Sequence, residues 1–325
     1  MSILNYKLLL PHFVPQILKQ TNMLMMDGSN PSPSTKPTST RVILWSNPRC
    51  LSTVFLKAMN KVDSIQLICE LYESAYEFGP ERNLNTPNDV MCEKVINAQM
   101  DQFSIAPRPN LYDDDICTYE WVRNTMQSEF PGKSVIFAKE FPFSIEGRYD
   151  LLPEGYRHTF LIRQPAKCFA SLKRVIDRIY DTPIPLDCGH MARFKTMYEL
   201  MEHTRHNGQP NPVVIDADDL QRHPESILRQ YCQATSIPYD SKLLQWDAGD
   251  ELLHTMVATK KMLLNGMIKD GGYFADAFRS TKINPPTTNG PSSSSASEEM
   301  SEDLKNAIES NQPFYDMLYA LRIKP

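Results

Sequence analysis

The chain has 325 residues, of which 41% are hydrophobic and 22% charged, with a formal net charge of −5. That balance suits a globular domain with a sizeable core and excludes a fibrous or largely low-complexity chain. No stretch is rich enough in Lys and Arg to form a nucleic-acid stripe, so any functional cations act locally, on a small anion.

Residues 1–40 read as a flexible segment. Pro11 and Pro15 interrupt its mildly apolar start, no A-x-A-like cleavage site follows, and Asn30 to Thr40 (NPSPSTKPTST) is low in complexity. The apolar start is too short to span a membrane and makes a poor secretory signal, so the expected location is cytoplasmic, with no membrane partner. The 7 cysteines (Cys50, Cys69, Cys92, Cys117, Cys168, Cys188 and Cys232) are scattered and form no CxxC pair. Free thiols in a reducing compartment are expected, without a structural metal.

From Arg41 onward, short apolar runs alternate with amphipathic stretches. The runs are Val42–Trp45, Leu67–Leu71, Val135–Ala138, Thr159–Ile162 and Val213–Ile215. The stretches include Ser52–Lys61, Asp115–Glu129, Pro165–Tyr180, Met191–His203 and Pro224–Ala234. This alternation predicts an α/β fold over residues 41–283, with a central parallel sheet of about five strands flanked by helices. Residues 284–300 read as a low-complexity linker or loop. Residues 301–325 read as a helical tail packing on the domain, with Leu304, Ala307 and Ile308 at helical spacing. Ligands on such sheets sit at the carboxyl ends of the strands, so the residues just after each run are the place to look.

The first such place is Arg41 to Met59, RVILWSNPRCLSTVFLKAM. The predicted helix from Ser52 presents unpaired N–H groups and a partial positive charge at its start. Ser52 and Thr53 add hydroxyl donors, and Arg49 adds a planar fork suited to a tetrahedral oxyanion. The loop lacks G-x-x-x-x-G-K-[ST], so it is not a standard nucleoside-triphosphate loop. A plain strand-to-helix turn with a serine cap and a surface arginine would look the same. Beyond the second strand, Glu70, Glu73 and Tyr76 are candidates to line an acceptor pocket. The third run ends at Lys139 and Glu140, which an exposed charge pair would also explain.

The second place is Arg157 to Tyr180, RHTFLIRQPAKCFASLKRVIDRIY. Arg163 ends the strand, Pro165 opens the helix, and Ser171 falls on its polar side. An arginine and a serine so placed can grip a second phosphate. His158, at the start of that strand, belongs to the opposite edge of the sheet.

Together PRCLSTVF and LIRQPAKCFASL resemble the two nucleotide-binding motifs of the sulfotransferases that use 3′-phosphoadenosine 5′-phosphosulfate (PAPS). The likeness extends loosely from Arg41 to Phe278, toward the branch described as sulfotransferase-like and sometimes misnamed after branched-chain aminotransferases. It implies the P-loop-like sulfotransferase fold and a PAPS cosubstrate with no metal. The implied reaction is transfer of a sulfuryl group to a hydroxyl or amine of a small molecule. It implies that Arg49, Cys50, Leu51, Ser52 and Thr53 surround the 5′-phosphosulfate, and that Arg163 and Ser171 hold the 3′-phosphate. The histidine that cytosolic members place after the third run is absent from VIFAKEFPF. Arg49 is then the expected catalytic cation on the bridging and sulfuryl oxygens, and Glu140 the expected general base, with Lys139 on a sulfate or phosphate oxygen. Leu51 stands where many members carry Gly, which implies a different path for the loop. Lys260 and Lys261 are the basic residues expected to substitute for a missing K/R-G-x-x-G segment. A nucleotide-binding module without transferase activity and a small-molecule kinase remain open alternatives at this point. Acceptor identity and oligomeric state are not readable.

Overall fold

The structure is a computed structural model. It describes residues 39–82, 111–112, 117–179, 193–259, 273–286 and 301–325, all within the compact unit Ser39–Pro325. The strands are β1 (Thr40–Ser46), β2 (Ile65–Cys69), β3 (Leu111–Tyr112), β4 (Val135–Glu140), β5 (Arg157–Ile162), β6 (Val213–Asp216) and β7 (Met256–Thr259). They form one sheet in the order β3-β7-β2-β4-β1-β5-β6, and every pairing is parallel. That is two strands more than the five read from the sequence. β7 is only four residues long and follows a helix directly, and β3 has two, so neither carries a readable apolar run.

Alternate residues of each strand feed two separate cores, as the two-residue period of a strand requires. Val42, Leu44, Leu67, Phe137 and Leu161 pack on one face with helix α1 (Ser52–Met59). Ile43, Trp45, Ile68, Ile136 and Phe160 pack on the other face with helices α2 (Leu71–Phe78), α3 (Tyr119–Gln127), α4 (Pro165–Ile179) and α5 (Phe194–His206). Beyond β6, α6 (Ala217–Arg222), α7 (Pro224–Thr235) and α8 (Glu251–Thr255) cover the first face, and the short α9 (Ala275–Arg279) follows. Helix α10 (Glu302–Ala320) buries Tyr315 and Leu318 against the second face, and beyond it the N–H of Ile323 donates to the carbonyl of Val214 on the edge strand.

This connectivity places a crevice. The chain leaves β1 through α1 on one face and moves past β4 to reach β2. It leaves β5 through α4 on the other face and moves the opposite way to β6. The sheet order therefore reverses between β1 and β5, and the carboxyl ends of these neighbours are the ligand position of an open parallel sheet. Among the described residues no helix is long and apolar enough to cross a membrane.

Candidate functional site

The loop from β1 to α1 occupies that crevice. Two of its non-glycine residues lie in the left-handed region, Arg49 at φ 67° and Leu51 at φ 69°. Leu51 gives α1 no side-chain cap, so the first N–H groups of the helix are left without an intrahelical or capping partner. A left-handed residue followed by a helical one turns successive N–H groups toward a common point, which is an anion-binding concavity. Ser52 is buried and Thr53 part-buried on the first turn. The expectation that Leu51 would divert the loop is corrected here. The backbone takes the conformation a glycine favours, and the leucine carries the cost, about 1–2 kcal/mol for such a residue.

The two distant motifs meet at this loop. Arg163, just past β5, donates from Nη1 to the carbonyl of Arg49 at 2.9 Å. Arg49 donates from Nε to the hydroxyl of Ser171 at 3.0 Å and from Nη1 to the carbonyl of Tyr273 at 2.7 Å. Neither guanidinium makes an ion pair with a carboxylate among the described residues. Burial lowers the pKa of Arg49; nearby Asp276 opposes the shift and Arg163 adds to it. Two half-buried arginines without an ion-pair partner among the described residues leave positive charge available to an anion. Orphaned polar atoms line the same strand ends: Ser46 Oγ, both amide atoms of Asn47, and Arg163 Nε are buried without a hydrogen-bond partner among the described residues. Cys50 turns its thiol into the core, 3.9 Å from that of Cys168, leaving only its backbone to the loop.

One strand over, the ends of β4 and β2 carry a buried charge cluster. Lys139 is 1% exposed and Glu140 0% exposed, so they are not a surface pair. Lys139 pairs with Glu70 and lies 3.2 Å above the ring of Phe141. Glu70 is itself left-handed, at φ 58°. Glu140 accepts from the N–H of Leu71 at 2.8 Å and of Tyr72 at 3.2 Å, which makes it the cap of α2 from a neighbouring strand. Burial pushes the Glu140 carboxyl up to about 8, against the pull of those N–H groups. Burial and the adjacent Glu70 also raise Glu73 well above the ordinary carboxyl range.

Of the sequence-predicted residues, Arg49, Cys50, Leu51, Ser52, Arg163 and Ser171 converge, with Thr53 on the same turn. Lys139 and Glu140 lie one strand away, already engaged. Lys260 and Lys261 lie outside the described residues. Sequence reasoning missed Ser46 and Asn47, although their position right after a buried run was the available signal. His158 sits at the amino end of β5, where its Nδ1 accepts from the indole of Trp45 at 2.9 Å. Among the described residues no group of three or more His, Cys, Asp or Glu is placed to hold a metal.

Comparison with known proteins adds a family. The model of the sulfotransferase domain matches residues 40–275. The chain is 24% identical over 211 residues to branched-chain-amino-acid aminotransferase-like protein 2 of Arabidopsis thaliana, covering 63% of this chain and 31% of that protein. It is 35% identical over 100 residues to the like-named protein 1 of the same plant, covering 31% of this chain and 16% of that one. The chain thus spans less than a third of the length of either curated relative. Among solved structures it is similar to the sulfotransferase domain of the Synechococcus PCC 7002 olefin synthase, with 16% identity and a TM-score of 0.41 over 86% of this chain and 98% of that one. The sulfotransferase domain of the curacin biosynthetic pathway gives 12% identity and a TM-score of 0.43 over 89% and 100%.

Proposed function

Because the chain belongs to the sulfotransferase domain family, we propose that it transfers a sulfuryl group from PAPS to a hydroxyl or amine of a small molecule. The observation that carries this reading is the Arg49–Arg163 pair, set at neighbouring strand ends with neither guanidinium in an ion pair with a carboxylate among the described residues. Two cationic groups beside an open helix start fit a nucleotide bearing two anionic ends, and the unpartnered Nε of Arg163 is a donor left over for one of them.

In this reading the 5′-phosphosulfate is held by the backbone of Cys50 and Leu51, the hydroxyls of Ser52 and Thr53, and the guanidinium of Arg49. Arg163 and Ser171 hold the 3′-phosphate. Lys260 and Lys261 are assigned to the nucleotide on sequence grounds alone. PAPS supplies an activated sulfuryl group, and the protein's task is to align it with the acceptor and steady the spreading negative charge. The acceptor's proton goes to the carboxyl cluster at the ends of β2 and β4. Glu140 is the sequence-derived choice there, and Glu73 is the member with solvent contact.

The full engagement of Glu140 as a helix cap favours a second reading, a nucleotide-binding module without turnover on the same fold. One pair of measurements separates the two. Adenosine 3′,5′-bisphosphate at millimolar concentration raises the melting temperature under both readings, and Arg49→Ala and Arg163→Ala each abolish the rise. Labelled sulfate passing from PAPS into a pooled metabolite extract occurs only under the first. No thermal shift with either nucleotide overturns both.

A further inference from the structure

Asn47 follows β1 directly and is 1% exposed, yet among the described residues neither its Oδ1 nor its Nδ2 has a hydrogen-bond partner. Ser46 before it is 0% exposed, and its Oγ is also unpartnered. A buried polar group left unsatisfied costs about 1–3 kcal/mol. Buried polar side chains are nearly always bonded, so an exception calls for a function or a guest. Among the described residues these are the only two consecutive ones that share this condition.

The register shows what they stand between. Trp45 is level with Glu140 on β4, and Ser46 is level with Leu161 on β5. One step further along, Asn47 is flanked by the ends of the Lys139–Glu140 strand and of the strand that leads to Arg163. Two residues later comes Arg49, whose carbonyl accepts from Arg163. Asn47 therefore lies between the cationic pair and the carboxyl cluster, the interval a group must cross in passing from a nucleotide to an acceptor.

We propose that the Asn47 amide, with the hydroxyl of the preceding Ser46 as a second buried and unpartnered donor, is the neutral contact for the sulfuryl group itself, an inference that rests on the sulfotransfer reading. During transfer the bond from sulfur to the bridging phosphate oxygen breaks, and its electron pair stays on the phosphate. The acceptor oxygen or nitrogen supplies the pair for the new bond to sulfur and releases its proton to a carboxylate. The Asn47 Nδ2–H donates to a sulfuryl oxygen, adding a directed donor where charge spreads, without a third cation. Its Oδ1 is free to accept from the incoming hydroxyl or amine, so one side chain registers both partners.

PAPS and adenosine 3′,5′-bisphosphate differ by the sulfuryl group, so a difference in their binding isolates this contact. Calorimetric titration of the full chain and of Asn47→Ala and Ser46→Ala is expected to show PAPS weakened about tenfold by Asn47→Ala and less by Ser46→Ala. The bisphosphate should bind all three alike. The melting temperature of the ligand-free Asn47→Ala protein should equal or exceed that of the wild type, because an unsatisfied amide is removed. Equal losses for both nucleotides, or an Asn47→Ala variant that folds but melts earlier, would assign Asn47 a structural role, and no loss for PAPS would remove the contact; each of these overturns the inference. If Asn47→Ala does not fold, Ser46→Ala must still separate the two nucleotides, or the inference fails. A wild-type protein that binds neither nucleotide would instead overturn the sulfotransfer reading beneath it.

Discussion

The Nε of Arg49 donates to the hydroxyl of Ser171 at 3.0 Å, joining the loop after β1 to helix α4 across 122 residues of sequence. One side chain comes from each of the two sequence motifs, so they are coupled before any nucleotide arrives. Ser171→Ala is expected to weaken adenosine 3′,5′-bisphosphate about tenfold, the size of a lost hydrogen bond to a charged group. In a double-mutant cycle on binding, Arg49→Lys, which keeps the charge and loses the Nε–H, and Ser171→Ala should be non-additive, as for other directly bonded pairs. Additive losses would mean the bond is incidental to the site.

Much of this site is legible in the sequence. Arg49, Ser52, Arg163 and Ser171 stand at short offsets from apolar strand-like runs, and a parallel sheet delivers all strand ends to one edge. The burial of Lys139 and Glu140 was not legible. Their partners, Glu70 and the N–H groups of Leu71 and Tyr72, are up to 69 residues distant in sequence, and two adjacent charges at the end of an apolar run give no local sign of them. The backbone at Leu51 departs from the sequence expectation for a different reason. Residue type argued for an ordinary backbone, but the requirement of the loop outweighs the preference of the side chain.

Leu51 also supplies a stability test. Leu51 packs part of its side chain on the core next to α1, so its removal confounds a simple comparison with the wild type. Comparing Leu51→Gly with Leu51→Ala cancels most of that loss. At φ 69° the glycine variant should be the more stable by ~1 kcal/mol, the reverse of their order in a helix interior. Denaturant unfolding of the two variants measures the difference. An alanine variant as stable as the glycine one would show that the loop has relaxed out of the left-handed region.

The Lys139–Glu70 pair makes an asymmetric prediction. Both side chains are nearly inaccessible, at 1% and 4% exposure, so each depends on the other for compensation. Lys139→Met alone strands the carboxylate beside Glu73 and should destabilise by ~3–5 kcal/mol. Adding Glu70→Gln to that variant removes the stranded charge and should recover most of the loss. The measurement is the unfolding midpoint of the single and double variants. A double variant no better than Lys139→Met would show that the pair does not act as a unit.

Glu140 ties proton binding to stability with a definite sign. Its carboxyl is raised from an ordinary 4.5 to about 8, because burial outweighs the two N–H groups it accepts from. The folded protein therefore holds this proton more tightly than the unfolded chain. The stability it contributes is full below pH 4.5 and is lost as pH rises through about 8. The wild type should lose melting temperature steadily across that window, and Glu140→Gln should flatten the slope. Part of the slope should survive in the variant, since Glu73 is shifted the same way. If Glu140 takes the acceptor's proton, sulfate transfer must rise with pH over the range in which stability falls, because only the ionised form accepts. Parallel stability curves for wild type and Glu140→Gln would show that the carboxyl is ionised throughout and acts as a charged cap. A transfer rate that rises with pH in both proteins would move the proton-accepting role to Glu73.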